Sequence, residues 1–163
     1  MAPPSSKTKL ILLGLVTIAL AITIIRLYST PTPTLDNLTI KIADTNYQLQ
    51  IADTVATRSQ GLSNRRSLCP SCGMLFVFPR SGFYPFWMKD TLIPLDIVWL
   101  DEQGIIVHLN TDTPPQGNTP TKDLPLYQNL TPARYVIELN AGDVARLQLS
   151  IGDTLDISSA LIP

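Results

Sequence analysis

Residues 10–25 form an uncharged run of Leu, Ile, Val, Ala, Gly and Thr, with Lys7 and Lys9 before it and Arg26 after it. A stretch of this kind has no polar face to turn toward water, so it splits the chain into a hydrophobic lead and everything that follows. As a helix rising about 1.5 Å per residue it covers about 24 Å, or about 28 Å if Leu27 and Tyr28 join while Arg26 snorkels. That suffices for a membrane span over residues 10–28. A cleaved signal peptide is the competing reading, and either one exports the remainder. The small pair Ala19 and Ala21 lies inside the run rather than after it, which favours an uncleaved anchor. Lys7, Lys9 and the amino terminus against Arg26 set residues 1–9 in the cytoplasm.

The chain is 45% hydrophobic overall, and this lead carries much of that excess. From residue 36 onward nine Lys and Arg stand against thirteen Asp and Glu, a net charge of −4. A surface of that sign gives nucleic acid or an anionic membrane face nothing to hold. The 163 residues leave room for one domain, over residues 38–163, behind a Pro/Thr linker at 29–37.

Within the domain, residues 38–43 and 47–52 alternate apolar and polar side chains around Asp44-Thr45-Asn46, the pattern of a β-hairpin. Asp53 is placed to cap a short helix over 54–60 that Gly61 stops. Residues 73–78 read as a buried strand halted by Pro79, with further strands at 83–89, 96–100, 105–109 and 135–139. Four prolines mark 111–125 as a long surface loop, and Val144, Leu147 and Ile151 have helical spacing. The expectation is a mainly β (α+β) domain, a compact barrel or sandwich of six to eight short strands with one or two short helices.

A set of motifs runs through this domain: Arg58-x-x-Gly61-Leu62, Gly73-Met74-Leu75-Phe76-Val77-Phe78, Phe86-Trp87-Met88-Lys89-x-Thr91, Pro94-Leu95-Asp96, and Tyr135-Val136-x-Glu138-Leu139 followed by Gly142. In order and spacing they resemble the family catalogued as domain of unknown function one-nine-two, over roughly residues 38–158. The resemblance implies a prokaryotic, often exported, compact β-rich domain without a settled activity. It makes the two Asn-x-Thr matches at Asn37 and Asn129 incidental. The pair Cys69-Pro70-Ser71-Cys72 stands outside the shared motifs.

That pair can close a disulfide, bind metal as thiolates or act as a redox couple. An oxidising compartment favours the disulfide. A redox role needs a helix N-terminus, whereas the motif here precedes a strand. Zinc would need Cys69 and Cys72 joined by His108 and a carboxylate. Copper(I) would take Met74 and Met88 together with Cys69 and Cys72 as soft ligands, but such apolar strands ordinarily bury their methionines. Strand parity puts Ile105, Val107 and Leu109 on one face and His108 on the other, so His108 is read as structural. One histidine without a serine motif gives a hydrolase little support.

A ligand site is expected around Trp87, Lys89, Asp90, Thr91, Asp96 and Arg58, where aromatic and apolar groups adjoin polar ones. The competing reading makes Trp87 or Met88 core and lets Asp90 and Asp96 satisfy turn amides or pair with Arg58, Arg66 or Lys89. No cofactor is implied. The functional expectation is a membrane-anchored, extracytoplasmic module for an unknown small ligand or protein partner, not an enzyme. A redox or metal-binding factor and a scaffold of a membrane complex are the alternatives.

Overall fold

The alternation at the start of the domain folds back on itself in the computed structural model, which describes residues 15, 17–20, 36–117 and 119–158. Strands β1 (Asn37–Ile42) and β2 (Thr45–Ala52) pair antiparallel, with Ile42 opposite Thr45. The turn is therefore Ala43-Asp44, earlier than the sequence pattern indicated, and Ala43 takes a left-handed φ of 49° to make it. Helix α1 (Val55–Gln60) is capped by Thr54 rather than Asp53. The Thr54 hydroxyl accepts from the Thr57 amide while the Thr57 hydroxyl accepts from the Thr54 amide, a reciprocal box that Asp53 does not form. Gly61 ends the helix at φ 50°.

The crossover through α1 delivers β3 (Cys72–Gly82) parallel to β2. Pro79 does not halt this strand. It lies where the pairing with the next strand is interrupted between Val77 and Gly82, so its missing N–H breaks no ladder bond. Strands β4 (Leu95–Leu100), β5 (Ile106–Thr113) and β6 (Ala133–Asn140) complete the sheet in the order β1-β2-β3-β6-β4-β5, every contact after β2–β3 being antiparallel.

The domain is thus mainly β with a few short helices, but the expected closure into a barrel or sandwich is corrected: one open sheet ends in β1 and β5. Its two faces are covered by different segments, which removes the need for closure. On one face Tyr47, Leu49, Leu75, Val98, Ile137 and Leu139 pack with Val144, Leu155 and Ile157 from the tail. On the other, Met74, Phe76, Ile97, Trp99 and Val136 pack with Leu62, Phe86 and Met88.

Residues 83–89 are not a strand. Pro85 lacks an amide, the Tyr84 amide donates to Asn129 Oδ1 at 2.9 Å, and only Phe86 bridges, to Tyr127. The segment instead drops Phe86 and Met88 onto the sheet face. The parity assigned to 105–109 is also corrected. Ile106 pairs with Leu100 but His108 with Trp99, so Val107 is an extra residue, and Val107 and Leu109 pack in opposite clusters. The tail helix α2 is only Asp143–Arg146, because Gln148 turns left-handed at φ 56° and leaves Ile151 exposed.

In the amino-terminal unit, residues 15 and 17–20 are helical. The rest of the anchor expected over residues 10–28 and most of the linker lie outside the described residues. Among the described residues no helix is long and apolar enough to cross a membrane.

Gly73 sits where three strands crowd together. A Cβ there would stand 2.6 Å from the Glu138 carbonyl oxygen and 2.7 Å from Leu49 Cδ2. The carbonyl is backbone in the centre of the sheet and cannot step aside cheaply. Gly73→Ala should cost about 1–3 kcal/mol in urea unfolding; a loss below about 0.5 kcal/mol would mean that β6 yields.

Candidate functional site

The row of residues across the sheet at Gln50, Met74, Glu138 and Ile97 is in register from β2 through β3 and β6 to β4. A carboxylic acid therefore stands between a methionine and an isoleucine, on the face where Phe76, Trp99 and Val136 also pack. Glu138 is 5% exposed, and its Oε2 is buried without a hydrogen-bond partner. Loss of hydration pushes its pKa up to about 8, with Arg65 pulling the other way. Arg65 itself is held by Gln50, to whose Oε1 it donates.

Above Glu138 opens a pocket of about 290 Å³, with Phe76, Phe78, Phe86 and Trp87 among its walls. Phe86 meets Phe76 edge to face at 4.9 Å and Trp99 at 5.8 Å, so its ring is wedged in place. Phe78 is stacked on Tyr84 at 3.6 Å. Gly61 turns the chain at the end of α1 with φ 50°, beside the Phe76 ring, where the backbone conformation rather than lack of space favours glycine.

Two loops form the mouth and are tied to each other. The Ser63 hydroxyl donates to the Lys89 carbonyl at 3.0 Å, and the Asn64 amide donates to the Asp90 carbonyl at 2.7 Å. Arg58 donates to the carbonyls of Val77, at 2.9 Å, and Asp53, and its guanidinium lies 5.1 Å from the Phe78 ring centre. Lys89 Nζ lies 6.0 Å from the centre of the Trp87 ring.

Of the residues expected from sequence, the fold brings Arg58, Trp87, Lys89 and Thr91 to this pocket. Asp90 does not line it; at φ 55° it makes the turn through its backbone. Asp96 is fully buried with the opposite cluster, where its two oxygens accept from the amides of Asp112 and Val144, each at 2.8 Å. It pins β5 and α2 and does not line this pocket. Met88 fills the core, while Trp87 is 45% exposed.

Glu138 was missed as a site residue, as were the three phenylalanines. The signal was a lone acid inside the otherwise uncharged run Tyr135-Val136-Ile137-Glu138-Leu139.

Cys69 and Cys72 are bonded as a disulfide across a turn, with Cα atoms 5.1 Å apart and the Cys72 amide donating to the Cys69 carbonyl at 3.1 Å. Asn140 Nδ2 donates to that same carbonyl at 2.9 Å, tying the turn to the end of β6. The pair opens β3, not a helix. His108 packs its ring 5.3 Å from Trp99, and among the described residues no three His, Cys, Asp or Glu side chains are grouped to hold a metal.

The family model described as "Uncharacterized ACR" (DUF192) matches residues 38–157. No curated protein matches the chain. Solved structures similar to it include a protein from Sinorhizobium meliloti 1021 described as a proposed transcription regulator, 30% identical, covering 77% of this chain and 96% of its own, with a TM-score of 0.67. Another is a protein of unknown function from Novosphingobium aromaticivorans DSM 12444, 26% identical over 78% of this chain and 89% of its own, with a TM-score of 0.66.

The raised pKa of Glu138 makes a stability statement. Between about 4.5 and about 8 the folded chain holds a proton that the unfolded chain has released, so this group's contribution falls as pH rises through that window. Glu138→Gln keeps a neutral side chain throughout. Its stability relative to the parent should therefore climb with pH, by roughly 2–4 kcal/mol between pH 4.5 and 8, in unfolding curves measured across the range. Parallel curves would show the acid ionised without penalty.

Proposed function

The chain belongs to the conserved family described as Uncharacterized ACR, and on that premise we propose that it is a binding module for a small organic ligand, anchored to a membrane with its domain outside the cytoplasm. One observation carries the binding half: an unpartnered carboxyl at the floor of a pocket walled by aromatic rings. Leaving a polar group buried and unsatisfied costs about 1–3 kcal/mol, which a ligand atom at Oε2 would recover. The rest of the domain leaves few side-chain groups in this condition, so the cost is concentrated at few places.

The wall geometry supports the same reading. Trp87 is a large apolar surface at the mouth, backed by rings that other contacts already immobilise, so a ligand would lose less entropy than against a mobile surface. The anchoring half rests on the apolar run at residues 10–25 and its flanking lysines. It agrees with the cysteine pair, since disulfides persist in oxidising compartments. In this reading Cys69 and Cys72 staple the turn that starts β3 and take no part in electron transfer. The regulatory role given for the Sinorhizobium protein is not carried over, because a net charge of −4 from residue 36 onward does not favour nucleic acid.

Two measurements test the two halves. Fragments found by screening the full-length chain should quench Trp87 emission, and Trp87→Ala should weaken them about tenfold without lowering the melting temperature. Hits that bind Trp87→Ala as well as the parent would move the site elsewhere. For topology, alkaline phosphatase fused after Pro163 should be active in growing cells, and activity from a cytosol-dependent reporter at the same position would remove the anchor.

A further inference from the structure

The pocket's charge inventory is one-sided. Its cationic lining groups are Arg58 and Lys89, and its only acid is Glu138. Among the described residues neither cation is paired with a carboxylate; each sits instead over an aromatic ring at the mouth. Asp53 and Asp90 adjoin these loops, but their side chains do not line the cavity. Arg58 is held in place by two backbone carbonyls through one of its nitrogens, which leaves the other donors of its fork free.

Resting on the binding reading above, we propose that the ligand is a small organic anion whose apolar body lies among Phe76, Phe86 and Trp87 and whose carboxylate or phosphate faces Arg58 and Lys89. The cavity of about 290 Å³ suits a body of about one ring. Glu138 then donates a hydrogen bond, keeping its proton, to a second oxygen carried at the buried end of the ligand. Burial keeps the acid in the neutral form that role requires, and Arg65, the cation that pulls against it, is engaged with Gln50. An ammonium ligand would have to enter between two uncompensated cations and then strip the proton from Glu138, so the mouth and the floor both act against it.

Three probes with one body and different heads separate the possibilities: 3-(4-hydroxyphenyl)propionate, 3-(4-hydroxyphenyl)propanol and 3-(4-hydroxyphenyl)propylamine, whose phenolic oxygen can meet Glu138, titrated calorimetrically into the full-length protein at mildly acidic pH. The propionate should bind about tenfold more tightly than either of the others. Lys89→Met should cost the propionate several-fold in affinity, leave the alcohol unchanged and leave the melting temperature unchanged. Equal binding of the alcohol, or tighter binding of the amine, would overturn the anion assignment while the pocket stands. A propionate affinity unchanged by Lys89→Met would show that the charge is read elsewhere and overturn the proposed mouth. Binding of none of the three at millimolar concentration would remove the pocket as a binding site, and this inference with it.

Discussion

Strand β6 is paired along both edges, by β3 and β4, and its side chains from Tyr135 to Leu139 are all buried. Every other part of the domain is arranged around that confinement. Its backbone polar groups are satisfied by the two ladders, so the sheet pays nothing for burying them. Its side chains must then be apolar or find partners within the protein. Val136, Ile137 and Leu139 meet the first condition; Tyr135 packs its ring in the core and leaves its hydroxyl without a partner. Glu138 meets neither, and the chain keeps it.

The surroundings of Glu138 are built to hold that condition rather than relieve it. Met74 and Ile97 flank it in the sheet, and the Arg65 guanidinium is turned to Gln50. Desolvation therefore outweighs the attraction of Arg65, and the acid stays neutral up to about pH 8. By contrast Asp96, equally buried one strand away, receives two backbone amides and serves the fold. The two acids differ in what meets their oxygens, and that difference separates a candidate site residue from a structural one.

Several features were legible in the residues. The hairpin at the domain's start, the short helix that follows it, the buried run at 73–78 and the strands near 96–100 and 135–139 all follow from local periodicity and turn chemistry, and the structure contains them. Arg58, Trp87, Lys89 and Thr91 were grouped because aromatic and polar types adjoin in one motif, and they do line one pocket. The failures have specific causes. Phe86 and Met88 carry strand-like side chains, yet Pro85 and the bond from Tyr84 to Asn129 divert that segment across the sheet face. Val107 is a bulge residue, which reverses the parity on either side of it and is silent in a period-two pattern.

The sequence by itself determined the division into an apolar lead and an acidic β-rich domain, the strand-forming segments, the family, and the closeness of Cys69 to Cys72. All of these depend on neighbours within a few residues, where spacing and side-chain type are sufficient. Only the tertiary structure decided that the sheet stays open, that β6 lies between β3 and β4, and that Glu138 rather than Asp96 is the acid left without a partner. Those outcomes depend on contacts between residues dozens of positions apart, such as Gln50, Met74, Ile97 and Glu138, whose alignment is set by strand order and register. No local pattern encodes which strand will lie beside which, and so the burial of a single carboxyl could be read only after folding.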